Sequence, residues 1–252
     1  MEKQGLGRGS GQAGEKRGSK IITIDGPAGA GKSTVSKILA RQLGYFYLDT
    51  GAMYRAVAVR AREKGIDPED DRALARLCRG LSISFRMKGR EQRIYCQGKD
   101  STQAIREPEI SLLSSKVSTR RPVREAMVLL QRRFGEKGKV VAEGRDMGTV
   151  VFPAAEFKFF LDAQPEERAR RRYRELLGKG VAVSRGDVEK EMEERDRQDS
   201  TRVLAPLRPA EDALRVDSTD LGPEEVAELI LKIIQKRSGN QGARGVGSKG
   251  KG

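Results

Sequence analysis

"IITIDGPAGAGKSTVSKILARQLG", Ile21 to Gly44, reads as a strand, a glycine-rich turn and a helix in immediate succession. Gly26, Gly31, Lys32 and Ser33 fill the spacing G-x-x-x-x-G-K-[ST]. Small residues let the backbone curl so that successive N–H groups point at phosphate oxygens, and the following helix presents its positive end to the same anion. On this reading Gly26, Pro27, Ala28, Gly29, Ala30, Gly31, Lys32, Ser33 and Thr34 wrap a nucleotide's phosphates. Lys32 brings a mobile charge to the outer phosphates, and Ser33 brings a hydroxyl ligand for Mg²⁺. Ile21, Ile22 and Ile24 form the β-branched run of a buried strand. Val35, Ile38, Leu39 and Leu43 recur at helical spacing up to Gly44, a suitable helix stop. A glycine-rich turn that merely mimics the motif would not need this context on both sides. The motif does not say whether the nucleotide is hydrolysed to drive a switch or used as a phosphoryl donor.

Length and composition narrow the choice. A chain of 252 residues holds one α/β domain with additions, or at most two small ones. The formal charge is +14, yet residues 1 to 20 carry five Lys/Arg against two Glu, and residues 236 to 252 carry five Lys/Arg and no acid. The body between them keeps only about +6. The two ends also hold twelve of the 29 glycines and few large apolar side chains, so they read as basic, glycine-rich flexible tails, 1–20 and 237–252. Basic tails offer a weak grip on RNA, or they are merely solvated. Cys78 shares a helical stripe with Leu74, Leu77 and Leu81, and Cys96 has the strand parity of Ile94, which suits packing better than chemistry. The chain has no histidine, so a reaction that depends on a His base or a His-ligated metal is excluded. With no apolar leader and no run long enough for a membrane span, a cytoplasmic protein is expected.

Five apolar segments read as sheet strands: Ile21 to Ile24, Tyr45 to Leu48, Val140 to Ala142, Phe157 to Leu161 and Ala213 to Val216. Helical patterns separate most of them, as in a parallel sheet covered by helices. The last helix begins near Pro223 and carries Val226, Leu229, Ile230, Ile233 and Ile234 on one face. Between the second and third strands lies a long excursion. Asp67-Pro68 starts a helix through about Arg79, and "LSISFRMKGREQRIYCQGKDST", Leu81 to Thr102, alternates like an antiparallel meander. This insertion is either a substrate-side subdomain or a decoration.

A guanine-reading switch would use N-K-x-D, and the chain has a single asparagine, Asn240. Several arginine-bearing groups stand out instead. "LDTGAMYR", Leu48 to Arg55, ends a strand and places Thr50 and Arg55 near the opening turns of a helix, as a plain cap or as a ligand contact. "VVAEGRDMGTVVFP", Val140 to Pro153, delivers Glu143, Arg145 and Asp146 at a strand's C-terminal end, where open α/β sheets bind ligands. In "EMEERDRQDSTR", Glu191 to Arg202, no apolar side chain occurs from Glu193 to Arg202, and Arg195, Asp199 and Arg202 share one helical face, as a surface charge ladder or as a face turned to a polar ligand. "PEERARRRYRELLG", Pro165 to Gly178, packs Ala169, Tyr173, Leu176 and Leu177 on one side and leaves Arg168, Arg171 and Arg172 on another, solvated or closing over phosphates. An acceptor that is itself a phosphate monoester is already an anion and needs little or no base, so an arginine-rich site without histidine fits phosphoryl transfer to a phosphate.

In this order the motifs "IDGPAGAGKST", "LDTGAMYR", "RPVREAM", "EGRDMGTVVFP", "ERDRQDSTR" and "APLRPAEDALRVDST" resemble the bacterial cytidylate kinases, nucleoside monophosphate kinases of the P-loop group, from Ile21 to about Lys236. The resemblance implies a P-loop three-layer α/β fold with a five-stranded parallel sheet over 21–236, a helical lid at about 163–180 and a small antiparallel NMP-binding insert at about 81–120. It implies ATP- and Mg²⁺-dependent phosphorylation of CMP and dCMP in pyrimidine nucleotide metabolism, by a monomer that requires no nucleic acid. By matching position Thr50, Arg55, Ser115, Arg124, Arg145, Asp146, Arg195, Asp199 and Arg202 are the implied CMP site. Arg55, Arg145 and Arg202 would hold the α-phosphate, Asp199 and Arg195 the ribose, and Ser115, Arg124 and Asp146 the base. Lys32, Arg145, Arg168, Arg171 and Arg172 are the implied catalytic cations. Thr50 stands where some relatives have Ser, which adds a methyl near the nucleotide and bears on CMP against dCMP. The glycine-rich basic tails lie outside the family's pattern.

Overall fold

A computed structural model describes residues 20–89 and 91–244, with side chains through residue 238. The expected tails therefore lie largely outside the described residues. β1 (Ile21–Asp25) is buried along its whole length and forms the middle of a five-stranded parallel sheet. Its neighbours are β6 (Val140–Gly144) and β7 (Phe157–Asp162), and β2 (Phe46–Asp49) and β8 (Leu214–Asp217) form the edges, in the order β2-β6-β1-β7-β8. Both faces of the sheet are covered, so the central strands read as unbroken apolar runs. Ile22, Ile24, Val141, Phe159 and Leu161 pack with α1 (Lys32–Leu43) and α8 (Pro223–Arg244). Ile21, Val140 and Ala142 face the other way, into the core shared with α2 (Thr50–Glu63), α3 (Asp71–Arg79), α4 (Pro108–Ser118) and α5 (Arg121–Gly135).

The excursion is a three-stranded antiparallel sheet, β3 (Ile83–Lys88), β4 (Glu91–Cys96) and β5 (Lys99–Asp100), followed by a 3-10 turn and α4. Phe85 of β3 locks it to the main body between Phe46 and Phe134, with ring centroids 5.9 and 5.5 Å away. Past β7, α6 (Pro165–Gly178) and α7 (Arg185–Thr201) form a helical hairpin with its own small core of Ala169, Leu176, Val188 and Met192.

Three expectations shift. The helix expected from Asp67-Pro68 begins at Asp71, because the Asp70 carboxylate caps the Ala73 N–H at 2.9 Å and the preceding residues form a turn. The last helix continues through Arg244, beyond the boundary at 236. Leu177 and Leu229, placed on packed stripes by spacing, are 48% and 41% exposed, since each lies at the margin of its buried face.

Candidate active site

The glycine loop owes its path to three residues in the left-handed region or near it: Gly26, Gly29 and Gly31, at φ 150°, 75° and 87°. A Cβ on Gly26 would lie 1.9 Å from the Leu161 carbonyl oxygen of β7, so the loop can leave the sheet here only without a side chain. Behind the loop, Lys32 is buried and donates to the Pro27 carbonyl at 2.5 Å. Burial first, and then the neighbouring Arg145 guanidinium, lower its pKa to about 7. Ser33 donates to one Glu143 carboxylate oxygen at 2.9 Å, and the Tyr47 phenol donates to the other. Burial and the nearby Asp49 carboxylate raise the Glu143 pKa, and Lys32 opposes them.

The C-terminal edge of the sheet carries a second charged group. Arg145 follows β6 and donates from Nε to Asp199 of α7 at 2.7 Å, and Arg202 reaches the same carboxylate at 3.6 Å. Asp146 accepts from Arg124 of α5, with both side chains buried, and Arg202 lies 3.9 Å from its other oxygen. Burial pushes Asp146 up against the pull of Arg124 and Arg202. Burial also pushes Asp199 up, but Arg145, Arg195 and Arg202 together hold it below the ordinary value. Arg195 is lowered to about 10, by burial first and then by Arg145, and its Nε is buried without a hydrogen-bond partner. Lys32 feels Arg145 and Arg195 directly, so the loop and the arginine group share one electrostatic field.

A family model described as cytidylate kinase matches residues 22–236. The chain belongs to the cytidylate kinase family. It is 52% identical over 217 residues to the cytidylate kinase of Geobacter sp. (strain M21), covering 86% of this chain and 93% of that one. The cytidylate kinase of Citrifermentans bemidjiense is 51% identical, with coverage of 86% and 93%. That of Carboxydothermus hydrogenoformans is 51% identical, with coverage of 86% and 98%. Members of this family are nucleoside monophosphate kinases, and the two adjoining charged groups correspond in number to the donor and acceptor that such a kinase must hold.

Against the residues expected of a cytidylate kinase, the geometry is selective. It brings Lys32, Arg145, Arg195, Asp199, Arg202, Asp146 and Arg124 together. Thr50 is buried at the start of α2 and donates to the Glu143 carbonyl at 2.6 Å, so its hydroxyl is tied to the strand end. Arg55 lies 3.6 Å from Asp49 on the rim. Ser115 sits in α4, its carbonyl accepting from the Ser118 hydroxyl at 2.8 Å, and no hydrogen bond described for its side chain reaches the Arg124–Asp146 pair. The three expected α6 arginines separate. Arg168 is buried and pinned to the Ala163 and Ala28 carbonyls at 3.0 and 3.1 Å and to Asp196 at 2.5 Å, so it clamps the loop to α6 and α7. Its burial against the loop and α7 corrects the reading of Arg168 as solvated and sets it apart from Arg171 and Arg172. Arg171 is held by Ser218 and Thr219 at the end of β8, beside Gly31. Arg172 pairs with Glu175, at 3.0 Å on the same helix, and its charge reaches Arg195.

Two residues outside the expected set shape the site. Tyr47 was legible only as an apolar strand residue. Asp25, the last residue of β1, accepts from the Met147 and Gly148 N–H groups at 2.8 and 2.7 Å and so fixes the turn that aims Arg145 and Asp146. Its one sequence signal is a carboxylate closing an apolar strand. Burial raises its pKa to about 6 despite those two hydrogen bonds. The folded protein therefore keeps the Asp25 proton up to about pH 6, whereas the unfolded chain releases it near 3.8. Between these values the native state binds the extra proton, so this contribution to stability falls as pH rises through the window and stays low above it. Asp25→Asn removes the titration, and the wild-type-minus-variant difference in urea unfolding free energy is expected to decline from pH 4 to pH 6. A difference independent of pH would place the proton elsewhere.

Among the described residues no three His, Cys, Asp or Glu side chains gather to hold a metal. The donors present do fit a magnesium ion bound chiefly by nucleotide phosphates: one hydroxyl, Ser33, backed by one carboxylate, Glu143. No helix among the described residues is long and apolar enough to cross a membrane.

Proposed function

We infer that this protein transfers the γ-phosphoryl group of ATP to CMP and to dCMP, giving the diphosphates. The observation that supports this best is a group of buried cations short of anions. The Arg145 and Arg195 guanidiniums lower the pKa of buried Lys32, Arg145 lowers that of Arg195, and among the described residues Arg195 Nε and Arg202 Nη2 are buried without a hydrogen-bond partner. Two polyanions, the donor triphosphate and the acceptor monophosphate, supply the missing charge, so binding them relieves an unfavourable arrangement.

The roles divide by position. The loop amides and Lys32 hold the donor phosphates. Arg145, Arg202 and the rim residue Arg55 hold the acceptor phosphate, and Asp199 and Arg195 face the sugar. The Arg124–Asp146 pair offers hydrogen-bond donors beside an acceptor, which matches the ring acceptors and the exocyclic amino group of cytosine. Thr50 packs beside the nucleotide, and Ser115 joins the site through its place in α4. Arg171 stands on the donor side beside Gly31, Arg172 lies within reach of Arg195 electrostatically, and Arg168 holds the loop. Ser33 would hold Mg²⁺, whose charge would offset that of the phosphates. No base is needed, because the acceptor oxygen is already anionic; catalysis lies in alignment and charge neutralisation.

ADP release measured by a coupled assay across CMP, dCMP, UMP, AMP and shikimate tests the reading. CMP and dCMP are expected to turn over, with UMP well behind. Turnover with another acceptor alone would reassign the arginine group to that acceptor, and no CMP-dependent turnover would end the proposal.

A further inference from the structure

Glu143 lies at the C-terminal end of β6, and among the described residues two side-chain donors meet its carboxylate, Tyr47 and Ser33. Tyr47 pairs in register with Val141, so its side chain shares the α1 face of the sheet with those of Val141 and Glu143. The Tyr47 ring is buried in the core on the α1 face, with Lys37 Nζ 5.6 Å from its centroid. Its strand is tied to the inserted sheet, the Tyr47 main-chain carbonyl accepting from Gln92 Nε2 at 2.9 Å, so the phenol is aimed at Glu143 from a fixed strand. We propose that Tyr47 is a positioning residue of the donor site. Its O–H occupies one Glu143 oxygen and fixes the carboxylate so that the other oxygen receives the Ser33 proton. A serine hydroxyl that gives its proton to a carboxylate keeps its lone pairs for a cation. Tyr47 acts through the orientation of Glu143, to which its phenol donates. The inference rests on the donor-site reading of the loop.

Calorimetric titration of the full chain with ATP, once with excess Mg²⁺ and once with EDTA, separates this role from a structural one. Tyr47→Phe keeps the ring and its packing and removes only the donor. It is expected to weaken Mg-ATP binding roughly tenfold, as loss of an outer-shell partner commonly does, and to leave metal-free ATP and CMP affinities within about twofold. In a Glu143→Gln background the same substitution is expected to add nothing further, because the two act as one unit. An equal loss with and without metal, no loss, or a loss that persists undiminished in Glu143→Gln would each overturn the role of Tyr47. A partly unfolded variant lowers the number of sites for every ligand alike and leaves the ratio of affinities readable. Failure of the wild type to bind Mg-ATP would overturn the donor-site reading instead.

Discussion

Lys32→Met is expected to lower kcat for CMP phosphorylation by about 10²- to 10³-fold, the usual cost of removing one preorganised charge from a reacting oxyanion. It should do so without loss of thermal stability. The two expectations have one cause. The Lys32 ammonium is buried beside Arg145, and burial first, then Arg145, lower its pKa to about 7 from the ordinary 10.5. Its charged form is therefore costly to the fold by itself and is favoured beside phosphate anions. Methionine keeps the length and packing of the side chain and gives up only the hydrogen bond to Pro27 and that charge. Steady-state kinetics and thermal unfolding on the same preparation decide it. A variant with near-normal kcat would remove Lys32 from the transferring phosphate, and a marked fall in thermal midpoint would show that the ammonium supports the fold.

Asp146→Asn is expected to cut the preference for CMP over UMP by about 1–3 kcal/mol, roughly 5- to 150-fold in the ratio of kcat/KM. Cytosine carries an amino donor where uracil carries a carbonyl acceptor. A carboxylate can only accept, so it pairs with the first and repels the second, whereas an amide can turn its NH2 to uracil. The same substitution removes the only acidic group described within 4 Å of Arg124. Arg124 then keeps its bond to the Ser118 carbonyl at 3.2 Å but loses its buried counter-charge, so a lower unfolding midpoint accompanies the change in selectivity. ATP affinity should stay near normal, since the described side-chain partners of Asp146 are Arg124 and Arg202 and not the donor loop. An unchanged CMP/UMP ratio would take Asp146 out of base recognition even if stability falls.

Much of the fold could be read from period and punctuation. The loop announces itself because glycine spacing, a β-branched strand and a helical stripe are all local patterns. The second strand end was equally legible, since a charged Glu-Gly-Arg-Asp run directly after Val140 to Ala142 has few reasons to exist in a closed core. Residues whose partners are distant in sequence were not legible. Tyr47 alternates like any strand residue, and nothing local tells that Glu143, 96 residues on, accepts from its phenol. Asp25 looks like the polar end of a strand, and its two partners lie more than 120 residues away. The helical stripe on α6 placed Arg168 on another side from Ala169 and Leu176, yet all three are buried, because α7 packs on the stripe and also reaches Arg168 through Asp196.

The amino-acid sequence by itself determined the phosphate loop, the alternation of strands and helices, the antiparallel insert and an arginine-rich, histidine-free chemistry, because each is a property of neighbouring residues and their spacing. Only the tertiary structure decided which strand lies beside which and which arginines face an open site. A guanidinium looks the same in sequence whether it clamps a loop, as Arg168 does, or stands buried and short of partners, as Arg195 does. Its role depends on what the opposite element places against it, and that is settled only when the chain has folded.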